Sequence, residues 1–307
     1  MVACLSGGRK HKPIVHRSHA AAQCDALHAF DAYRMRHNRR MTQITQKAPE
    51  PALNIVEWVD EIDSTNSELL RRTAAGRARA PHALAAMRQT QGRGRAGRCW
   101  VSPGALQNAE NFCLSISIDV AVPLAELAPF TLALGVAARR ALLQLLHGQH
   151  DQHNEHPKVQ LKWPNDLFLG GKKLGGILVE VAKSSAQGCT LVAGIGINLR
   201  MPQSIEIDQE FTDLASHNLF VSARELAPIM VAQFLAAAND YAADRLTNFF
   251  SEWRAADALA GRALIVSDDP TTRWRGLGIS ERGGLLLGCG EQVRELMAGE
   301  IKVRLGD

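Results

Sequence analysis

Apolar and polar residues alternate over Asn54–Val59 and over Phe112–Val120. That period of two predicts strands with one covered face. Ala83–Met87 reads as a short strand between them. Leu124–Leu146 is a long Ala/Leu run with Pro129 near its start, and Ser222–Asn248 is a second such run with Pro228 in its early turns. Both predict helices. Gln160–Leu169 and Lys172–Val181 form a predicted hairpin about Gly170-Gly171, and Thr190–Leu199 is the next strand. After Trp253 the pattern changes to four short runs, Arg262–Val266, Arg273–Gly276, Gly284–Leu287 and Glu300–Leu305, separated by Gly-rich turns. These elements predict an α+β protein with a mainly antiparallel sheet flanked by helices, followed by a small SH3-like barrel. The expected division is a tail over 1–50, a main domain over 51–260 and the barrel over 261–307.

Residues 1–50 show no sustained apolar period and are rich in His, Arg, Ala and Gln, which predicts disorder. The tail is basic and acid-poor, as transit peptides are, and Met41 offers a later start. Residues 1–48 carry nine Lys/Arg against two Asp/Glu, or +7, so the rest of a chain of net charge +4 carries −3. The basic character belongs to the tail, and nucleic-acid binding does not follow from it. Six cysteines show no C-x-x-C spacing and read as reduced thiols in a cytoplasmic protein. No apolar run approaches the ~18 residues that span a bilayer. His147, His150, His153 and His156 recur every third residue and read as a solvated loop.

Candidate chemistry begins with Gln91-Gly92-Arg93-Gly94-Arg95-Ala96-Gly97-Arg98-Cys99-Trp100. Glycine permits positive φ and close ligand approach, and arginine presents a fork of donors suited to phosphate or carboxylate. The run matches G-x-G-x-x-G, but Val101-Ser102-Pro103-Gly104 follows where a dinucleotide site needs a helix. No acidic residue closes a strand at the required offset of about 20 residues, and no Walker A lysine is present. Upstream, Thr65-Asn66-Ser67-Glu68 fits a capping box with Thr65 as the cap. Downstream, Leu161-Lys162-Trp163-Pro164-Asn165-Asp166 places a lysine beside a stiff turn, where Pro164 restricts Trp163 to extended backbone.

Four segments in order, Gly92–Trp100, Leu161–Asp166, Lys173–Glu180 and Gly194–Leu199, resemble the biotin protein ligases. The resemblance covers roughly 53–306 and implies a class II synthetase-like catalytic fold. It implies ATP-dependent attachment of biotin, through biotinyl-5'-AMP, to a lysine of a biotin carboxyl carrier protein of acetyl-CoA carboxylase or another biotin-dependent carboxylase. ATP and biotin are then substrates, with Mg²⁺ expected at the phosphates. By resemblance the biotin site takes Ser64, Thr65, Asn66, Gln89, Gly92, Arg93, Gly94, Arg95, Lys162, Gly175 and Gly176. The nucleotide site takes Arg95, Arg98, Trp100, Asn165, Asn198 and Phe211, the last within the segment Arg200–Phe211 that orders around adenine in relatives. Lys162 and Arg95 are the catalytic candidates. Ala96 departs from the family, which often has a basic or polar residue there.

Two anions must meet in such a reaction, so the site needs cations where charge builds. The attacking group is the substrate's own carboxylate, so no Ser-His-Asp set is required. A lipoate or octanoate ligase or transferase is the nearest rival. A biotin-sensing transcriptional regulator is the rival from another class, and it needs a DNA-binding domain of about 60 patterned residues that the tail does not offer. DNA and membranes are not expected partners, and relatives form monomers or homodimers.

Overall fold

Seven strands form the main sheet of the computed structural model, which describes residues 56–103, 109–147, 158–202, 205, 209–297 and 303–306. The tail, His150, His153 and His156 lie outside the described residues. The strands are β1 (Val56–Ile62), β2 (His82–Gln89), β5 (Glu110–Val120), β9 (Cys189–Arg200), β8 (Lys172–Ser184), β7 (Asp166–Leu169) and β6 (Gln160–Lys162), in that spatial order. Only β1 and β2 run parallel; every other neighbour in this sheet is antiparallel. A two-stranded ribbon, β3 (Gly92–Arg93) and β4 (Cys99–Trp100), forms the base of the arginine loop.

The period of two divides each strand between two cores. Ala83 and Ala85, Ile116 and Ile118, and Leu191 and Ala193 join the large cluster under helices α2 (Phe130–Leu146) and α3 (Ala223–Asp244). Leu84 and Val192 turn the other way and meet Leu69 of α1 (Thr65–Ala74). On that second face the central strands carry Ser115, Gly194 and Gly196 instead of large side chains. A layer of small residues beneath one short helix leaves room for a cleft, and the predicted site residues gather there.

The structure alters several predicted elements. Ser64, not Thr65, caps α1: its hydroxyl accepts from the Ser67 amide at 3.4 Å, while Glu68 turns to Arg71 and Arg72. The run from Leu124 breaks at Pro129, so a 3-10 turn at Leu124–Glu126 precedes α2. The run from Ser222 ends as a helix at Asp244, where Arg245 takes φ 53, and resumes as α4 (Phe250–Ala256). The Gly170-Gly171 turn forms as predicted, with φ 58 and 79. Strands β6 and β7 are separate, since Trp163-Pro164 interrupts the predicted single run with a cis peptide bond.

The C-terminal sheet has five antiparallel strands, not four, in the order β13-β12-β11-β10-β14. They are β10 (Ala263–Val266), β11 (Asp269–Ile279), β12 (Leu285–Cys289), β13 (Gln292–Leu296) and β14 (Val303–Leu305). Its Leu264, Val266, Leu285 and Leu287 belong to the same buried cluster as α2 and α3. Trp253 of α4 is 2% exposed in that cluster and lies in contact range of Gly135. Trp253→Ala is expected to cost about 3–5 kcal/mol, read as a lower urea midpoint at unchanged slope. A loss under about 1 kcal/mol would mean the site collapses around the void.

Candidate active site

The cleft on the α1 face is open to solvent and holds a cavity of about 90 Å³. One end is a neutral hydrogen-bonding wall built by the start of α1. The Thr65 amide donates to Gln89 Oε1 at 2.8 Å, and the Thr65 hydroxyl lies 2.7 Å from Ser115 Oγ. Ser115 Oγ donates to Asn66 Oδ1 at 2.6 Å. The Thr65 hydroxyl also lies 3.1 Å from Gln89 Oε1, so its one proton serves either Ser115 Oγ or Gln89 Oε1. Ser64, Thr65, Asn66 and Ser115 are all buried. A buried polar chain of this kind holds only if each member is satisfied, which makes the wall rigid. Gly194 makes the wall's packing fit: a Cβ there would overlap Asn66 Oδ1 and come within 3.1 Å of Ser115 Oγ.

The other end is cationic. Arg95 and Arg98 reach it from the loop above, and Lys173 from β8 below. Burial pushes the Arg95 pKa down, helped by Arg98 and opposed by Asp166. A desolvated guanidinium beside a second one is poised to gain from an anion. Lys173 Nζ lies 2.9 Å from Asp166 Oδ1, with both side chains mostly buried. The segment at Phe211 holds Lys173 in place, since Phe211 bridges it and the Thr212 amide donates to the Lys173 carbonyl at 2.8 Å. Asn165 lines the cleft as well, locked to β8 by its Nδ2 on the Ile177 carbonyl at 2.9 Å.

Between the two ends, Trp100 closes one side. Its indole lies flat on Gly196, where a Cβ would sit 2.6 Å from Cζ2. The loop crosses the cleft as a hairpin with a strained tip, Ala96 at φ 53 and Gly97 at φ 71. Positive φ is unusual for alanine.

Of the predicted site residues, Ser64, Thr65, Asn66, Gln89, Arg93, Gly94, Arg95, Arg98, Trp100, Asn165 and Gly176 line this cleft. Five do not. The Lys162 ammonium lies over the Phe168 ring, 4.9 Å from its centroid, and Lys162 is not among the residues that line the cleft. The lysine that lines the cleft is Lys173, two residues past the Gly170-Gly171 turn, at the head of a family segment but given no site role by the sequence reading. Gly175 faces its neighbour strand: a Cβ would sit 2.5 Å from the Gly196 carbonyl oxygen. Gly92 likewise lies against the Trp100 carbonyl in the β3–β4 pair. Asn198 is buried and braces the chain, with Nδ2 donating to the Thr212 carbonyl at 3.0 Å. Phe211 acts through its backbone on Lys173 and does not line the cleft. Ser115, Gly194 and Gly196 went unassigned, although Gly-x-Gly in a buried strand signals close approach from above.

Residues 58–198 match the biotin/lipoate A/B protein ligase family. The bifunctional ligase/repressor BirA of Escherichia coli is 31% identical over 247 residues, 79% of this chain and 72% of that protein. The biotin–[acetyl-CoA-carboxylase] ligase of Mycobacterium tuberculosis is 34% identical over 160 residues, 52% of this chain and 54% of its own. The biotin protein ligase from Aquifex aeolicus, solved in complex with biotin and ATP, superposes with a TM-score of 0.66 at 25% identity, covering 82% of this chain and 100% of that one. The fold is that of the biotin protein ligases, and the chain is a ligase. The chain belongs to the biotin/lipoate A/B protein ligase family.

Proposed function

We propose that the protein attaches biotin to a lysine of a biotin carboxyl carrier protein, using ATP and passing through biotinyl-5'-AMP. The observation that carries this reading is one cleft with a neutral hydrogen-bonding wall at one end and three cations, Arg95, Arg98 and Lys173, at the other. The wall suits the uncharged ureido ring, and the cations suit a carboxylate meeting a phosphate. In the first step a biotin carboxylate oxygen attacks the α-phosphorus, forming the acyl–phosphate bond as pyrophosphate leaves. In the second, the carrier's lysine amine attacks the acyl carbon and AMP leaves with the bonding pair. Holding the two substrates side by side contributes on the order of 7–11 kcal/mol.

Lys173 takes the role that Lys162 was expected to have: its compact ammonium sits where charge develops. Asp166, its partner, keeps it aimed. Among the described residues no group of three metal-ligating side chains exists. Mg²⁺ would enter on the ATP phosphates, with water completing its shell, and would offset their charge. The two parts of the chain read as a catalytic domain over 51–260 and a small barrel over 261–307, with Gly261 at φ 74 as the joint. The exposed, unpaired Cys99 suits a reducing cytoplasm, and no described helix is long and apolar enough to cross a membrane.

The direct test is mass spectrometry of a carrier domain incubated with the protein, ATP, Mg²⁺ and biotin, with lipoate in a parallel tube. A mass gain matching biotin is expected; a gain only with lipoate would overturn the substrate assignment. Arg95→Gly removes the half-buried cation from the loop tip. It is expected to speed escape of biotinyl-5'-AMP by on the order of 10- to 100-fold, the worth of one charge-assisted contact. Release at the parent rate would remove Arg95 from that role.

A further inference from the structure

Among the described residues, the arginine loop is hydrogen-bonded to β8 and α1 at its base and within itself at its tip. At the base, Arg93 grips Glu180 of β8 with both arms, Nη2 to Oε1 at 2.7 Å and Nη1 to Oε2 at 3.1 Å. Arg93 Nη1 also donates to Ser67 Oγ at 3.3 Å. The same Glu180 accepts from Asn66 Nδ2 at 2.9 Å. Asn66 is the last member of the chain Gln89–Thr65–Ser115–Asn66 that forms the neutral wall. At the tip, the hydrogen bonds are internal: the Gly94 amide to the Arg98 carbonyl at 2.7 Å, and the Arg98 amide and Nε to the Arg95 carbonyl at 3.2 and 3.3 Å.

One carboxylate therefore joins the loop to the floor of the cleft. A bidentate guanidinium–carboxylate pair fixes orientation as well as distance, and Glu180 has its second oxygen shared with a residue of the substrate wall. From this geometry we propose that Glu180 is a positioning residue, a latch that couples occupancy of the neutral wall to closure of the arginine loop through Asn66 and Arg93. Resting on the ligase reading, this assigns Arg93 to the loop's fastening and leaves Arg95 and Arg98 as the cations that meet the ligand. A substrate that packs against Thr65 and Gln89 stiffens Asn66, which holds Glu180 on Arg93, and the tip closes over the nascent adenylate. The latch acts on retention of the intermediate more than on its formation, since Glu180 does not line the cleft and reaches it through Asn66 and Arg93.

The test uses the full chain and the variants Glu180→Gln, Arg93→Gln and the double substitution. Hydrogen exchange of amides 92–100 is measured first, without ligand. Each single variant is expected to speed that exchange by about three- to fivefold, the scale of one partly exposed pair, and the double variant no further. Escape of biotinyl-5'-AMP in the absence of carrier should rise by the same factor, with biotin-dependent pyrophosphate exchange changing less. Unchanged amide exchange in Glu180→Gln overturns the latch, and so do additive effects in the double variant, because independent contributions add. If the parent shows no biotin-dependent pyrophosphate exchange, the ligase reading fails, while the ligand-free exchange still decides the latch.

Discussion

Lys173→Met is expected to lower biotin-dependent pyrophosphate exchange by about 100- to 1,000-fold, the loss that follows removal of one preorganised charge from a reacting site. Methionine keeps the length and apolar stem of the side chain, so strand β8 and its pairing should survive. The paired control is Lys162→Met. That ammonium rests on the Phe168 ring, Lys162 does not line the cleft, and exposed or partly exposed cation–π contacts contribute only about 0.5–1 kcal/mol. Exchange in the control should stay within about fivefold of the parent. Two outcomes would reverse the assignment: near-normal exchange in Lys173→Met, or a collapse in Lys162→Met with intact thermal unfolding. Asp166 enters the same argument. Losing the lysine leaves its mostly buried carboxylate without its ion pair, so part of the effect on stability belongs to the aspartate.

Gly196→Ala should be nearly as damaging, and for a steric reason. The new Cβ would lie 2.6 Å from Cζ2 and 2.8 Å from Nε1 of Trp100, closer than real side chains approach. The neighbour is a rigid ring at the end of β4, paired with Gly92 on its other side, so it cannot give by rotating a flexible end. The indole must lift, and the arginine loop lifts with it. A displacement near 1 Å at such a site costs on the order of 100-fold in rate. Steady-state exchange with biotin and ATP varied separately would read the change, and indole fluorescence would report the ring's new surroundings. Parent-like kinetics would mean that Trp100 is not a wall of the working site.

Much of the scaffold was legible because its signals are local. The period of two in Phe112–Val120 and the Gly170-Gly171 turn each depend on neighbours within a few residues, and both formed. The shift of the α1 cap from Thr65 to Ser64 is a displacement of one position, yet it changes meaning: Thr65 is freed from capping and turned to Gln89 and Ser115. The fifth C-terminal strand, Gln292–Leu296, was passed over because its Val293 is exposed and its other residues are mostly polar or charged.

The presence of Lys173 at the cleft was not legible for a subtler reason. Strand β8 pairs with β7 through an irregularity between Leu167 and Phe168, so Lys173 faces Phe168 while Gly175 faces Leu167. A shifted register changes which side chains reach a given face, and no periodicity within one strand reveals it. The surroundings of Asn198 and Phe211 were hidden for a similar reason. Both sit near Lys173 in space, but the contacts that occupy them, to Thr212 and to the Lys173 backbone, join segments more than ten residues apart.

The loop between β11 and β12 ties the small C-terminal sheet to the main domain by two means. The Gly283 carbonyl accepts from Trp163 Nε1 at 3.0 Å, and a Cβ on Gly283 would press within 2.7 Å of Pro129. The tryptophan beside the Lys162 turn and the first residues of α2 therefore both read the identity of one residue in the distal sheet. A chimaera that takes this sheet from a distant relative must therefore keep that glycine and its carbonyl, or retune the turn it holds.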